Sequence, residues 1–241
     1  MAPGRPTRLD GVSEDQPAAG PASEPNRDGR STRWDPHRRE RRTAIVQAAI
    51  EAIEQHGPDV LTAQIAERAG VPRTHVYRHF EGKPALDLAV CTHVALQIGD
   101  HIRAAFATGG STTELIGRAI ARHLGWVAAH PNLYRFLARN AFAMTTQQGR
   151  PADAKAAFAA EITALTAKYM AALGLSTEPA ERMIVGVVGL VDATAGWWIE
   201  RREPDLETVA AELTDEVWLI IERAGRQLGA TLDPDAPLPE I

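Results

Sequence analysis

Ile45-Val46-Gln47-Ala48-Ala49-Ile50-Glu51-Ala52-Ile53, then His56-Gly57-Pro58, then Leu61-Thr62-Ala63-Gln64-Ile65-Ala66-Glu67-Arg68-Ala69-Gly70-Val71-Pro72, then Arg73-Thr74-His75-Val76-Tyr77-Arg78-His79-Phe80 ahead of Gly82-Lys83, form the stretch whose reading decides the fold. Ile45, Ala48, Ala49, Ala52 and Ile53 recur at helical spacing and predict one buried stripe, with Asp35 as a helix cap and Pro36 at the first helical position. Gly57-Pro58 ends that helix. From Thr62 a short second helix turns Ile65, Ala66 and Ala69 inward, and Gly70 supplies the permissive backbone of a tight turn that Val71 plugs. Pro72 opens a third helix in which Val76 and Phe80 face inward while Arg73, Thr74, His75, Tyr77 and Arg78 lie outward. Two helices at a tight turn, the second studded with outward donors and acceptors, predict a helix-turn-helix that reads base edges and phosphates.

With Ala-Gly-Val followed by Val-Tyr-Arg-His-Phe and Gly-Lys, the segment from Arg42 to Leu86 resembles the N-terminal DNA-binding domain of the TetR (tetracycline-repressor) family. The resemblance implies that the third helix enters the major groove, with base-edge contact from Arg73, Thr74 and His75. It implies phosphate contact from Tyr77 and His79, and a grip on the backbone from Thr62 and Lys83. Arg78 joins this DNA-binding set as an exposed base on the same helix.

The rest of the chain reads as helix. A fourth helix over 84–107 carries Leu86, Val90, Val94, Ile98 and Ile102 until Gly109-Gly110 breaks it. Ser111-x-x-Glu114 is a capping box that opens a fifth. Pro131 starts a sixth, and Ala154, Phe158, Ile162, Leu165, Tyr169 and Leu173 mark a seventh that Gly174 ends. An eighth over 179–201 is apolar nearly all round, with Gly186, Gly189, Ala193, Ala195 and Gly196 permitting close backbone approach. Because its apolar stretch from Met183 to Trp198 holds Asp192 and falls short of the roughly 20 residues of a membrane span, burial against protein is expected. The ninth, over 204–228, carries the stripe Leu206, Ala210, Leu213, Val217, Ile220, Ala224 and Leu228.

The fold class expected is therefore all-α: a three-helix helix-turn-helix domain plus a larger C-terminal helical ligand-binding and dimerisation domain, about nine helices in all. Expected boundaries are a disordered extension over 1–34, the DNA-binding domain over 35–83, the helical domain over 84–229 and a tail over 230–241. The family resemblance implies a dimer through the last two helices. The dimer-interface set is Gly189, Ala193, Gly196, Leu206, Leu213, Val217, Ile220 and Ala224, and the alternative is that the ninth-helix stripe completes the monomer core. The resemblance also implies a small-molecule cavity among the fourth to eighth helices. Candidate ligand-binding walls are Phe106, Trp126, Phe136, Phe142, Phe158, Tyr169 and Trp197, with His93, His101, His123 and Asp192 as polar handles. Asp192 faces either that pocket or the interface.

Charge is divided along the chain. Residues 27–90 hold eleven Lys and Arg against nine Asp and Glu, whereas residues 91–241 hold thirteen against eighteen, so the basic charge gathers at the recognition end of a chain of net charge −5. Arg27, Arg30, Arg33, Arg38, Arg39, Arg41 and Arg42 make a basic arm that either reaches a minor groove or serves as a solvated linker. The lone Cys91 excludes an internal disulfide, and no secretory signal is visible after Met1, which predicts a reducing cytoplasm. His75 and His79 have metal-ligand spacing but no third ligand beside them, and no nucleophile elbow or phosphate loop is present, so neither a metal, a cofactor nor a catalytic residue is expected. The expected function is a repressor that binds a palindromic DNA operator as a homodimer and is released by a small apolar effector, with no membrane partner. The alternative is a helical small-molecule-binding module without sequence-specific DNA function.

Overall fold

The computed structural model describes residues 29–106, 109–145 and 154–239, with side chains over 37–106, 109–140 and 158–239. Nine helices are found among them: α1 (Gly29–His56), α2 (Thr62–Arg68), α3 (Arg73–His79), α4 (Gly82–Phe106), α5 (Thr112–Ala129), α6 (Pro131–Thr145), α7 (Ala154–Ala172), α8 (Ala180–Arg201) and α9 (Leu206–Gln227). No strand occurs among the described residues, so the all-α expectation holds. Residues 38–241 form one unit; the stretch up to His37 is another, of which the helical part begins at Gly29. Asp35 and Pro36 therefore lie inside α1 and do not cap it. Pro36 removes one backbone donor, and with no glycine between Gly29 and His37 the helix runs through it.

Burial explains the first three helices. Ile45, Ala49, Ala52 and Ile53 of α1 are fully buried with Ile65 and Ala66 of α2 and Val76 and Phe80 at α3. Gly70 adopts φ +63° between α2 and α3, a left-handed turn in which a side chain would be strained. This core does not stop at the end of the helix-turn-helix. Leu86, Val90, Cys91 and Val94 of α4 and Leu133 and Phe136 of α6 continue it, so the boundary expected after Lys83 falls within the first turn of α4 and inside one hydrophobic cluster.

A second cluster joins Ile120, Leu124 and Val127 of α5, Ala195, Trp198 and Ile199 of α8, and Val209, Leu213 and Val217 of α9. The capping box opening α5 is formed in both directions: Glu114 N–H donates to Ser111 Oγ at 3.3 Å, and Ser111 N–H donates to Glu114 Oε2 at 2.9 Å. α8 spans 22 residues at a mean hydropathy of 1.4 and is, among the described residues, the one helix long and apolar enough to cross a bilayer. It is longer than its apolar stretch suggested, because its polar ends continue the helix. Met183, Ile184, Ala195, Trp198 and Ile199 are buried within the chain.

After α9 the tail returns across the start of α5. Thr113 Oγ1 donates to Pro234 O at 2.8 Å, Leu238 N–H donates to Gly110 O at 3.3 Å, and Ser111 bridges to Pro237.

Candidate functional site

α3 presents its polar face to solvent because Val76 is drawn into the core by its spacing to Phe80. Arg73, Thr74, His75, Tyr77 and Arg78 are exposed, His79 and Lys83 are half-buried, and Thr62 at the head of α2 is buried. Arg73 Nη2 donates to the Tyr77 hydroxyl at 3.1 Å with its guanidinium 5.5 Å from the ring centroid. Hydrogen bonding from Thr62, and next from Arg73, holds the Tyr77 hydroxyl below the usual phenol range. Three of the predicted DNA-binding residues are thus tied into one group spanning α2 and α3.

His79 sits where the basic charge converges. Burial lowers its pKa first, and Arg38, Arg78, Arg41 and His75 lower it further, so the imidazole is held neutral beside a positive field. Its Nδ1 is buried with no protein partner, while its carbonyl accepts from Arg42 Nη1 at 2.7 Å. Arg42 also lies 4.1 Å over the Phe80 ring and so pins α3 to α1 from both sides of the peptide. Lys83 is paired with Asp87 at 2.6 Å, its Nζ 5.7 Å from the Phe136 centroid. Arg38, Arg39, Arg41 and Arg42 of the basic arm lie in α1. Arg27 lies outside the described residues, as do the side chains of Arg30 and Arg33.

A cavity of about 790 Å³ opens between α4 and α9. Its walls come from Cys91, Ile98, Ile102 and Phe106 of α4, Leu115, Ile120 and His123 of α5, and Tyr134 and Leu137 of α6. Phe158, Ile162 and Tyr169 of α7, Met183, Ile184, Val191 and Asp192 of α8, and Val217, Ile221 and Ala224 of α9 complete the ring, with Leu232 and Leu238 from the tail.

Of the expected ligand walls, Phe106, Phe158, Tyr169 and Asp192 are brought together here, with His123 as one polar handle. Trp126, Phe136 and Trp197 do not line it. Phe136 is fully buried in the cluster shared with the helix-turn-helix, because α6 turns that face toward α1 and α4. Trp126 stacks obliquely on His130 at 5.2 Å, and Trp197 points outward with Arg201 over its ring at 5.0 Å. His93 is half-buried on α4, His101 is exposed, and the Phe142 side chain lies outside the described residues. Sequence reasoning passed over Tyr134, whose hydroxyl donates to Asp192 O at 2.9 Å across 58 residues of chain, and over the two tail leucines. Apolar residues in an otherwise polar, proline-rich tail were the available signal.

The expected interface set divides. Leu213 and Val217 are fully buried against α5, Leu206 packs on the same cluster, and Ala224 and Val217 face the cavity, so this stripe completes the chain's own core. Ile220 is half-buried. Gly196 faces inward: a β-carbon on it would stand 3.1 Å from the Tyr134 hydroxyl. Gly189 and Ala193 are exposed. They share the outer side of α8 with Val185, 56% exposed, and Trp197, 42% exposed.

A helix-turn-helix with an outward polar recognition helix, followed by a helical unit around an apolar cavity, defines the class of helix-turn-helix transcriptional regulators. Residues 45–90 match the model for bacterial regulatory proteins of the tetR family, and residues 112–220 match the tetracyclin repressor-like C-terminal domain. The uncharacterized HTH-type transcriptional regulator Rv0472c of Mycobacterium tuberculosis is 33% identical over 186 residues, covering 76% of this chain and 78% of that protein. The chain belongs to the TetR family of transcriptional regulators. Among solved structures, a tetR-family regulator from Streptomyces coelicolor aligns with a TM-score of 0.60 at 19% identity, covering 79% of this chain and 86% of its own. FadR from Bacillus subtilis, solved in complex with stearoyl-CoA, aligns with a TM-score of 0.55 at 18% identity, covering 73% and 96%. At these identities the structures share the fold.

Proposed function

We propose that this TetR-family regulator is a cytoplasmic repressor that binds a palindromic duplex as a homodimer and is released when a small apolar effector fills the helical cavity. The observation that carries the reading is the position of α4: one helix supplies Ile98, Ile102 and Phe106 to the cavity and Leu86 and Val90 to the core beneath the recognition helix. Displacing its cavity end shifts the element on which α3 rests. A second link runs through α6, where His130 Nδ1 meets Glu54 Oε1 at 2.7 Å, Asn132 donates to Glu54 O at 2.9 Å and Arg139 pairs with Asp59 at 2.6 Å.

On this reading Arg73, Thr74 and His75 meet base edges, while Tyr77, Arg78, His79, Thr62 and Lys83 hold phosphates. Lys83 exchanges Asp87 for the DNA backbone. The dimer forms on the outer side of α8 through Val185, Gly186, Gly189 and Ala193, where small residues permit close helix contact, extended by Leu219 of α9, 59% exposed. The stearoyl-CoA of the FadR neighbour supports an effector with a long apolar part.

Selection of bound sequences from random duplexes, followed by gel shifts with and without hydrophobic compounds, tests the proposal. Enrichment of a two-fold repeat is expected. Tyr77→Phe is expected to weaken many sequences alike and to reduce the salt dependence, whereas Arg73→Ala changes sequence preference. Failure of the full chain to enrich any sequence would leave a helical binding module without DNA function.

A further inference from the structure

The cavity is polar at one place. Among the described residues lining it there is no Lys or Arg, and Asp192 is the one Asp or Glu. The Tyr134 hydroxyl stands 2.9 Å from Asp192 O and 3.5 Å from Asp192 Oδ1, and it reaches that position because Gly196, one turn along α8, has no side chain to obstruct it. His123 of α5 lines the same cavity. The arginines of α4 and α5 are committed elsewhere: Arg103 to Asp100 and Glu161, Arg118 to the carbonyls of Ala105 and Gly109, and Arg122 to the carbonyl of His101. Away from Asp192 the wall is hydrocarbon, supplied by residues such as Ile98, Ile102, Leu137 and Val191.

A ligand carrying a carboxylate or phosphate into this space would lose its hydration and meet Asp192 with no cation of the wall to compensate. A ligand whose head donates a hydrogen bond meets the opposite situation, since a carboxylate is an acceptor-only group and its bonds to donors are stronger than those between neutral groups. A volume of about 790 Å³ is in the range that holds a drug-sized molecule with most of its surface removed from water.

Resting on the reading of this cavity as the effector site, we infer that its effector is a long apolar molecule whose polar end is a hydrogen-bond donor without negative charge, an amine or a hydroxyl, seated at Asp192 beside Tyr134 and His123. Acyl chains ending in a free carboxylate are excluded by the same group. Burial together with the Asp192 charge raises the Tyr134 hydroxyl well above the usual phenol range, which keeps it a donor to Asp192 and leaves the remaining acceptor capacity of that carboxylate to the ligand.

Isothermal titration of the purified full-length protein with decylamine, decan-1-ol and decanoate, which share one hydrocarbon chain and differ in the head, tests this. Decylamine and decan-1-ol are expected to bind at least about tenfold more tightly than decanoate. In Asp192→Asn the advantage of the amine over the alcohol is expected to vanish while decan-1-ol still binds. A preference for the amine assigns a cationic head, and equal binding of amine and alcohol in the wild type assigns a neutral one. Decanoate binding as tightly as either probe, or no saturable binding by any of the three, overturns the inference. Should Asp192→Asn fail to fold, the wild-type rank order decides by itself. Operator binding measured in parallel separates the two readings: the expected rank order with unchanged DNA affinity keeps the head-group assignment and removes the effector role.

Discussion

A β-carbon on Gly225 would stand 2.8 Å from Leu232 Cδ1 and 2.9 Å from Leu232 Cγ, so the tail closes onto α9 at a position without a side chain. Leu232 and Leu238 then form part of the cavity wall. Gly225→Ala should therefore lower the melting temperature, although alanine within a helix is ordinarily worth up to about 1 kcal/mol over glycine. Gly125→Ala on α5, where a new β-carbon would meet nothing within 4 Å, should raise it. Equal gains in the two variants, read by thermal unfolding, would show that the tail is not packed on α9.

The outer side of α8 and the inner stripe of α9 should respond differently to substitution. Gly189→Glu places a charge on an exposed position with open space around it, and should convert a dimer to a folded monomer in light scattering. Leu213→Ala removes a fully buried side chain and should cost about 2–5 kcal/mol of stability. A wild-type protein that is monomeric at micromolar concentration would end the dimer proposal.

His79 sets the sign of the pH dependence. Because its folded pKa is depressed, its contribution to stability is present above the ordinary imidazole value and is lost as pH falls through the folded one. A phosphate placed in the field of Arg38, Arg41 and Arg78 reverses the balance and favours the imidazolium. DNA affinity should consequently rise from pH 7.5 to pH 6, by at most about tenfold per pH unit for one proton. His79→Gln should remove that part of the slope. An unchanged slope in the variant would assign the titration to another group.

Burial pushes the Cys91 thiol up to about 12, with Asp87 acting in the same direction. The thiol should resist alkylation at pH 8 in the folded protein and react on unfolding. Its share of stability is fully present below the ordinary value of 9.0 and is lost as pH rises toward the folded value. Cys91→Ala should flatten the onset of alkaline destabilisation, leaving the later part that Tyr134 contributes in the same sense. Rapid labelling of native protein would show an opening of the cavity wall.

Local signals accounted for the helix inventory. Ser111 and Glu114 announced α5, Gly70 and Pro72 framed α3 to the residue, and the spacing of Val76 to Phe80 told which side of α3 would face water. Each of these is an interaction over a few residues, or a periodicity that one strip of core imposes on one helix. Where the signal was compositional, as at Asp35 and Pro36, it did not locate the start of α1.

The sequence by itself determined the all-helical class, the order and nearly all the bounds of the helices, and the outward residues of the recognition helix, because 3.6-residue periodicity and capping chemistry are written locally. Which aromatic faced which neighbour was decided by tertiary structure alone. Phe136 and Tyr134 lie two residues apart on α6, yet the first joins the core beneath the helix-turn-helix and the second meets Asp192 in the cavity. Leu213 and Val217 likewise read as a free stripe until α5 covered them. An amphipathic pattern states that a face is buried; only the packing of the other helices states against what.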